Sequence, residues 1–377
     1  MDYSVSDNDI LGESLERGQK KRTRLLGVLA GVALVVSFLF CLVVGRYTTG
    51  VVETFAAFAY GTVDAVIDLL ELPTLVPGIS YDIPNPVPII WDTTSYLVLW
   101  TIRLPRMIGV VFVGGGLAMA GASYQGVFRN PIVSESILGV TAGAAFGAGL
   151  GFYLYGGQYL VMALAFVGAL VAVALSYVSS RAINGNPTLL LVLAGTVVGS
   201  LFSAGLTVLQ YLIGPEDSRL GDIVFWLMGS FSKISGGDVA YLVVGISLCA
   251  LVLANQRWKL NVLSLGDEEA RALGIDTRRT RLVIIVAATL LTAVAVSVCG
   301  TIGWVGLVVP QMVRMLVGPD NRRLIPLCFF FGGTFMLLID CLCRSLIAGE
   351  IPVGVATAVI GAPLFLVILK RLNRGWV

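Results

Sequence analysis

No histidine occurs among the 377 residues, and only 13% of them are charged. The first absence removes every site built on a protein imidazole: the His-Glu-x-x-His metal site and the Ser–His and Cys–His nucleophile pairs. The second sets the chain apart from soluble domains, in which about a quarter of residues are charged. No Gly-x-x-x-x-Gly-Lys-Ser/Thr is present, and no lysine follows a glycine, so the chain carries no phosphate-binding loop of its own. The six cysteines, Cys41, Cys249, Cys299, Cys328, Cys341 and Cys343, form no Cys-x-x-Cys. Each sits in or beside an apolar run, where a thiol serves as a small hydrophobe. No catalytic residue, no bound metal and no cofactor is expected in this chain. The net charge of +2 offers no basic footprint for a nucleic acid.

Apolar residues dominate what is present. Hydrophobic types make up 57%, and the mean hydropathy is +0.90. That composition excludes disorder, which needs low hydrophobicity and high charge. Glycine supplies 44 residues, above the usual ~7%, and small residues let membrane helices pack closely. The chain therefore reads as an all-α polytopic membrane protein.

Residues 1–24 are polar, end in Lys20, Lys21, Arg22 and Arg24, and are expected to form a cytoplasmic tail. The apolar stretch 25–45 is long enough to cross a ~30 Å hydrocarbon core, and too long and too late for a signal peptide. Further apolar segments fall at 107–127, 137–155, 159–178, 189–213, 239–254, 282–299, 302–317, 324–347 and 354–371, ten in all. Glycines at 300–306 interrupt one long run. With the N-terminus inside and strict alternation, nineteen Lys and Arg fall inside and six outside. That bias predicts ten spans with both termini in the cytoplasm. Residues 25–377 thus read as one transmembrane domain.

Two connections stand out. The outside segment 46–102 opens with Val52, Phe55, Phe58, Ala59, Val63, Val66, Ile67 and Leu70 at helical spacing, with Glu53, Asp64, Asp68 and Glu71 between them. The pattern predicts one or two short helices at the outer interface rather than an eleventh span, because the acids are costly inside a bilayer. Pro73, Pro77, Pro84, Pro86 and Pro88 then force an extended connector. The inside segment 255–281 holds Leu265-Gly266-Asp267-Glu268-Glu269-Ala270-Arg271-Ala272-Leu273-Gly274. Carboxylates at Asp267 to Glu269 suit a helix N-terminus, and Gly274 stands where the helix would stop. A compact capped helix between two spans is a better docking surface than a linker. A faint internal echo, Gly121 to Pro131 and Gly300 to Pro310, ten residues each, hints at an inverted repeat.

Several segments, in order, resemble the FecCD-type permeases, the membrane subunits of binding-protein-dependent ABC importers for vitamin B12, iron-siderophores and heme. They are Arg103-Leu104-Pro105-Arg106, Gln125-Gly126 to Asn130-Pro131, Leu138-Gly139-Val140, the loop Leu265 to Gly274, Gly303 to Pro310, Gly318-Pro319-Asp320 with Arg322 and Arg323, Glu350-Ile351-Pro352-Val353-Gly354, and Gly361-Ala362-Pro363. The resemblance covers 97–372. It implies the type II importer permease architecture in the plasma membrane: a homodimer in membrane lipid, two ATP-binding cassette subunits below it that bind ATP and Mg, and an extracytoplasmic substrate-binding protein above.

Residue by residue, the resemblance implies three roles. Arg103, Arg106 and Arg344 match basic positions that pair with acids of the binding protein. Arginine stays charged and grips a carboxylate with two donors. Gly266, Asp267, Glu268, Glu269, Ala270, Arg271, Leu273 and Gly274 match the coupling helix that seats in the ATPase. Asn130, Ile132 and Thr188 match the cytoplasmic gate. Asp340 stands four residues before Arg344, a spacing that predicts an intramembrane ion pair. The chain departs from the family in its long 46–102 segment and in Gln311, where a histidine is common. The alternative function is an ion-gradient-driven secondary transporter. That reading is weakened because Asp340 is the only clear mid-to-outer intramembrane acid and has Arg344 as a neighbour.

Overall fold

The computed structural model describes residues 7–45, 47, 50–71, 85–185, 187–347 and 349–373, and among these it is all helical with no strand. Fourteen helices follow one another: α1 Asp7–Val43, α2 Val51–Glu71, α3 Thr93–Leu97, α4 Leu104–Phe128, α5 Val140–Tyr153, α6 Gln158–Arg181, α7 Pro187–Ile213, α8 Ser218–Met228, α9 Gly236–Leu265, α10 Asp267–Ala272, α11 Thr277–Cys299, α12 Val305–Val317, α13 Asn321–Ser345 and α14 Val353–Asn373. A π-helical turn, Val98–Arg103, joins α3 to α4 without a break.

Eight of these helical stretches are long and apolar enough to cross a membrane, and α5 and α12 are shorter apolar helices. Together they coincide with the ten apolar segments of the sequence; α2 is not among them. The outer surfaces of α6 and α7 carry exposed Val167, Val171, Leu175 and Val178, and Leu189, Leu193, Val197 and Leu201. Contiguous apolar faces of this kind suit lipid or a second subunit.

Hydropathy marks where the bilayer would lie, not where a helix ends. The polar tail is helical from Asp7 and runs directly into the first span. Likewise α9 continues to Leu265, through Arg257 and Lys259, beyond the apolar 239–254. These added turns are rich in good helix formers, which the loss of apolar character does not stop. The segment after the first span forms one helix, α2. Pro73, Pro77 and Pro84 lie outside the described residues; Pro86 and Pro88 sit in non-helical backbone.

Helix α4 is the axle: nearly all of it is buried, against α13, α9, α11 and α12. Glycine permits that closeness. A Cβ on Gly114 would stand 2.5 Å from the Gly332 carbonyl oxygen of α13, and one on Gly121 would stand 1.8 Å from the Gly306 carbonyl oxygen of α12. The two helices of each pair therefore touch backbone to backbone. Gly121 of the echo thus meets Gly306 of α12, not its counterpart Gly300, which caps α11.

Side-chain carboxylates cap many of the helices. Asp92, Asp217, Asp276 and Asp320 accept from backbone N–H groups of α3, α8, α11 and α13, and Ser235 with Asp238 forms a capping box on α9. At one end of the bundle, three connections meet: Ser230 N donates to the Cys299 carbonyl at 2.8 Å, Gly354 N to the Gly229 carbonyl at 3.4 Å, and Thr301 Oγ1 to the Leu227 carbonyl.

Candidate functional site

At the end where α4 finishes, α10 forms a separate projection between α9 and α11. Gly266 precedes it with φ 148°, and a Cβ there would meet the Glu269 carboxylate at 1.8 Å. Gly274 follows it at φ 78°, with Gly274 N donating to Arg271 O at 2.9 Å and Ile275 N to Ala270 O at 3.0 Å. This paired closure needs a left-handed residue, which glycine adopts without strain. Ala270 is fully buried and seats the helix, while Glu268, Glu269, Arg271, Leu273 and Gly274 are exposed. Leu265 and Leu273 are 63% and 58% exposed at either end. The projection thus presents acids flanked by bare leucines.

Asp267 ties this projection to the bundle. Its carboxylate pairs with Arg129, in the left-handed cap of α4, at 3.0 Å, and with Arg281 of α11 at 2.8 Å. Burial pushes the Asp267 carboxyl up, but hydrogen bonds and charge from Arg281, with Arg129 and Arg271, outweigh it and hold the group below its ordinary value. A cleft of about 650 Å³ separates α10 from the start of α7, lined by Phe128, Arg129, Thr188, Leu265, Asp267 and Glu268. Thr188 thus lies across this cleft from α10. Asn130 and Ile132 occupy one exposed turn next to Arg129, where the Asn130 carboxamide oxygen accepts from Ile132 N at 3.0 Å. That self-contained turn is the standard way an Asn-Pro step ends a helix.

A polar network backs the same turn. Gln311 of α12 donates to the Pro131 carbonyl at 2.8 Å and to Gln125 Oε1 at 3.0 Å; Arg314 donates to Gln125 Oε1 at 3.1 Å, and Gln125 to the Gly306 carbonyl at 3.4 Å. Gln125 and Gln311 are buried. Gln311 therefore does by hydrogen bonding something a neutral amide does well, holding the turn after Asn130 against α12. Sequence reading named neither Gln125 nor Arg314 as site residues. Their one signal was polarity at positions within apolar helices.

At the opposite end, where α1 finishes and α4 begins, the three arginines are buried rather than extended. Arg103 donates to the Leu42 carbonyl at 2.8 Å, to that of Val43 at 3.5 Å and to that of Tyr47, so it caps α1. Arg106 pairs with Asp340 at 2.8 Å and grips both Glu350 oxygens at 2.8 and 3.0 Å. Arg344 pairs with Asp340 at 3.0 Å. Arg106, Arg344 and Asp340 are each at most 6% exposed, while the Glu350 side chain is 29% exposed. Two cations and two anions balance, which is what makes so much buried charge tolerable. Arg103 lies apart from Asp340 and Glu350 in its contacts. Sequence reading placed Glu350 in a motif but gave it no partner, because Arg106 stands 244 residues earlier. On the outside of this cluster, Phe58 and Tyr60 of α2 pack with Trp91, Tyr96 and Trp100. No group of His, Cys, Asp or Glu among the described residues has the arrangement of a metal site.

A bundle of apolar helices long enough to cross a membrane, packed on a glycine-lined axle with a capped projection at one end, is the architecture of a membrane permease. The chain belongs to the FecCD transport family, whose match spans residues 33–371, and it is a membrane permease of the ABC transporter class in the plasma membrane. It is 39% identical over 304 residues to the molybdate import system permease protein MolB of Haemophilus influenzae, covering 78% of this chain and 90% of that one. It is 40% identical to the cobalamin import system permease protein BtuC of Halobacterium salinarum, covering 74% of each. It is 37% identical to the hemin transport system permease protein HmuU of Yersinia pestis, covering 75% and 87%. The structure of a metal-chelate type ABC transporter in an inward-facing conformation matches with a TM-score of 0.77 at 34% identity, covering 92% of this chain and 99% of that one.

Proposed function

We propose that this chain is the translocation subunit of a binding-protein-dependent importer that carries a metal compound into the cell. Two copies form the path. Two ATP-binding cassette subunits seat the α10 projections from the cytoplasm, and a substrate-binding protein docks at the end that holds Arg106, Arg344 and Glu350. The observation that carries the reading is α10: a short capped helix with exposed acids and leucines, braced by Asp267 on α4 and α11. Closure of the ATPases on ATP would push α10, and Arg129 would pass the push to the turn at Asn130 and Ile132, with Thr188 across the cleft as the gate's other side.

The cargo is a metal chelate of the iron-siderophore, heme or cobalamin kind. Relatives named for molybdate, cobalamin and hemin are of nearly equal identity to this chain, so overall likeness favours no single member. Reconstituting the permease with its ATPase and binding protein in vesicles tests the proposal. Uptake of radiolabelled cargo should need ATP and stop with a hydrolysis-dead ATPase. Uptake that continues on an ion gradient without ATP would overturn it in favour of a secondary transporter.

A further inference from the structure

Helix α1 is lightly enclosed, with 17% of its most apolar window buried, yet its last turn is pinned from two sides. Arg103 holds the Leu42 carbonyl at 2.8 Å, and Arg344 donates to the Cys41 carbonyl at 3.4 Å. The Cys41 thiol donates to the Leu337 carbonyl of α13 at 3.6 Å. Leu337 and Arg344 bracket Cys341, four residues before it and three after it. Residues so spaced share a helix face, and a helical Cα–Cβ bond leans toward the preceding turn. The Cys341 side chain therefore lies over the same carbonyl that the Cys41 thiol touches, which sets the two thiols side by side where α1 meets α13. Both residues are buried, at 0% and 5% exposure. Cys343 stands about 200° around the helix from Cys341, outside this contact.

We propose that Cys41 and Cys341 are a disulfide-forming pair that staples α1 to α13. The proposal rests on the reading that the Arg106–Glu350 end faces the cell exterior, where thiols are oxidised. One thiolate attacks the sulfur–sulfur bond of an external disulfide oxidant, forms a mixed disulfide and releases one oxidant thiol. The second cysteine attacks that mixed bond, forms Cys41–Cys341 and releases the other thiol. The pair loses two electrons and two protons, and the oxidant's disulfide becomes two thiols. The bond needs sulfur atoms about 2.0 Å apart, and rotation about each Cα–Cβ bond swings the two sulfurs toward one another across the α1–α13 contact. It would lock a lightly held helix to the one that carries Asp340 and Arg344.

The test uses the full-length chain in native membranes, exposed to oxidised glutathione, then unfolded in dodecyl sulfate with N-ethylmaleimide present and no reductant, so that every free thiol is alkylated, digested and read by mass spectrometry. The expected result is loss of alkylation at Cys41 and Cys341 together, with their peptides joined and lighter by two hydrogens, and separation on reduction. Cys41→Ser should abolish the link and leave Cys341 alkylated; Cys343→Ser should leave the link intact. In parallel, Ile89→Cys, at an exposed position of the same end, should react with a membrane-impermeant maleimide on intact cells. If Ile89→Cys reacts from outside while Cys41 and Cys341 stay alkylated after oxidised glutathione, the disulfide is refuted and the orientation stands. If Ile89→Cys does not react from outside, the orientation falls and the proposal with it.

Discussion

Replacing Gly121 by alanine tests whether α4 and α12 are held at backbone contact. The new Cβ would stand 1.8 Å from the Gly306 carbonyl oxygen and 2.5 Å from its carbon, where ordinary contact begins at 3.4 Å. Backbone cannot swing aside as a side chain tip does, so the helices must part by about 1.6 Å. A radial gap of ~0.5–1 Å already forfeits a quarter to a half of each contact's attraction, and overpacking of this kind costs about 1–3 kcal/mol. That is a shift of about 5- to 150-fold in the ratio of folded to unfolded protein. The displacement also breaks the Gln125 bond to Gly306 and drags on the Gln311 bond to Pro131. The assay is the fraction of detergent-solubilised chain that stays monodisperse after heating. Gly31→Ala, where nothing lies within 4 Å of the new methyl, is the control. Equal heat resistance for the two variants would refute the argument.

Four other outcomes are expected. Asp340→Asn leaves Arg106 and Arg344 without their shared buried anion, and should cost about 3–5 kcal/mol, read as a lower denaturation temperature that Asp340→Glu partly restores. Gln311→Ala strips the bonds that hold Pro131 and Gln125, and should cost about 1–3 kcal/mol, with faster hydrogen exchange across 130–139. Gly274→Pro demands φ near −65° where the backbone has 78°, so ATP hydrolysis by the assembled complex should persist while uptake collapses. The Asp267 carboxyl is held below its ordinary value of 3.8 in the folded chain. Its pairing with Arg129 and Arg281 contributes in full well above the ordinary carboxylate range and is lost as pH falls through the lowered value. An acid titration of α10 exchange protection should show that step in the wild type and not in Asp267→Asn.

Composition carried the class of the molecule, because a bilayer demands apolar length and little else does. The ten apolar segments located the helices that line up with eight long and two short apolar helices, and the ordered motifs led to the family that the match over 33–371 shows. The limits of those helices were not legible. The last turns of α9 are polar and still helical, since propensity and hydropathy are different properties. Pairings across the bundle were hidden for another reason. Arg106 sits in a short motif and Glu350 in another, and only the packing of α4 against α13 brings them together. Arg103 looked identical to Arg106 in the sequence, yet one caps a helix and the other grips two carboxylates, a distinction that depends on where α1 ends. Gln311 drew notice as a departure from the family, but its role needed the position of the Pro131 carbonyl.

The knot formed by the connections after α8, after α11 and before α14 has a mechanical corollary. Ser230 is tied to Cys299, Thr301 to Leu227 and Gly354 to Gly229, so the three connections interlock through two main-chain bonds and one from the Thr301 hydroxyl. Helices fastened in that way cannot peel apart one at a time; they tilt as a single plate about the fastening. A pair of spin labels placed just beyond the knot on α8 and α14 should accordingly keep one separation through a whole transport cycle, while labels on α7 and α10 draw together and apart.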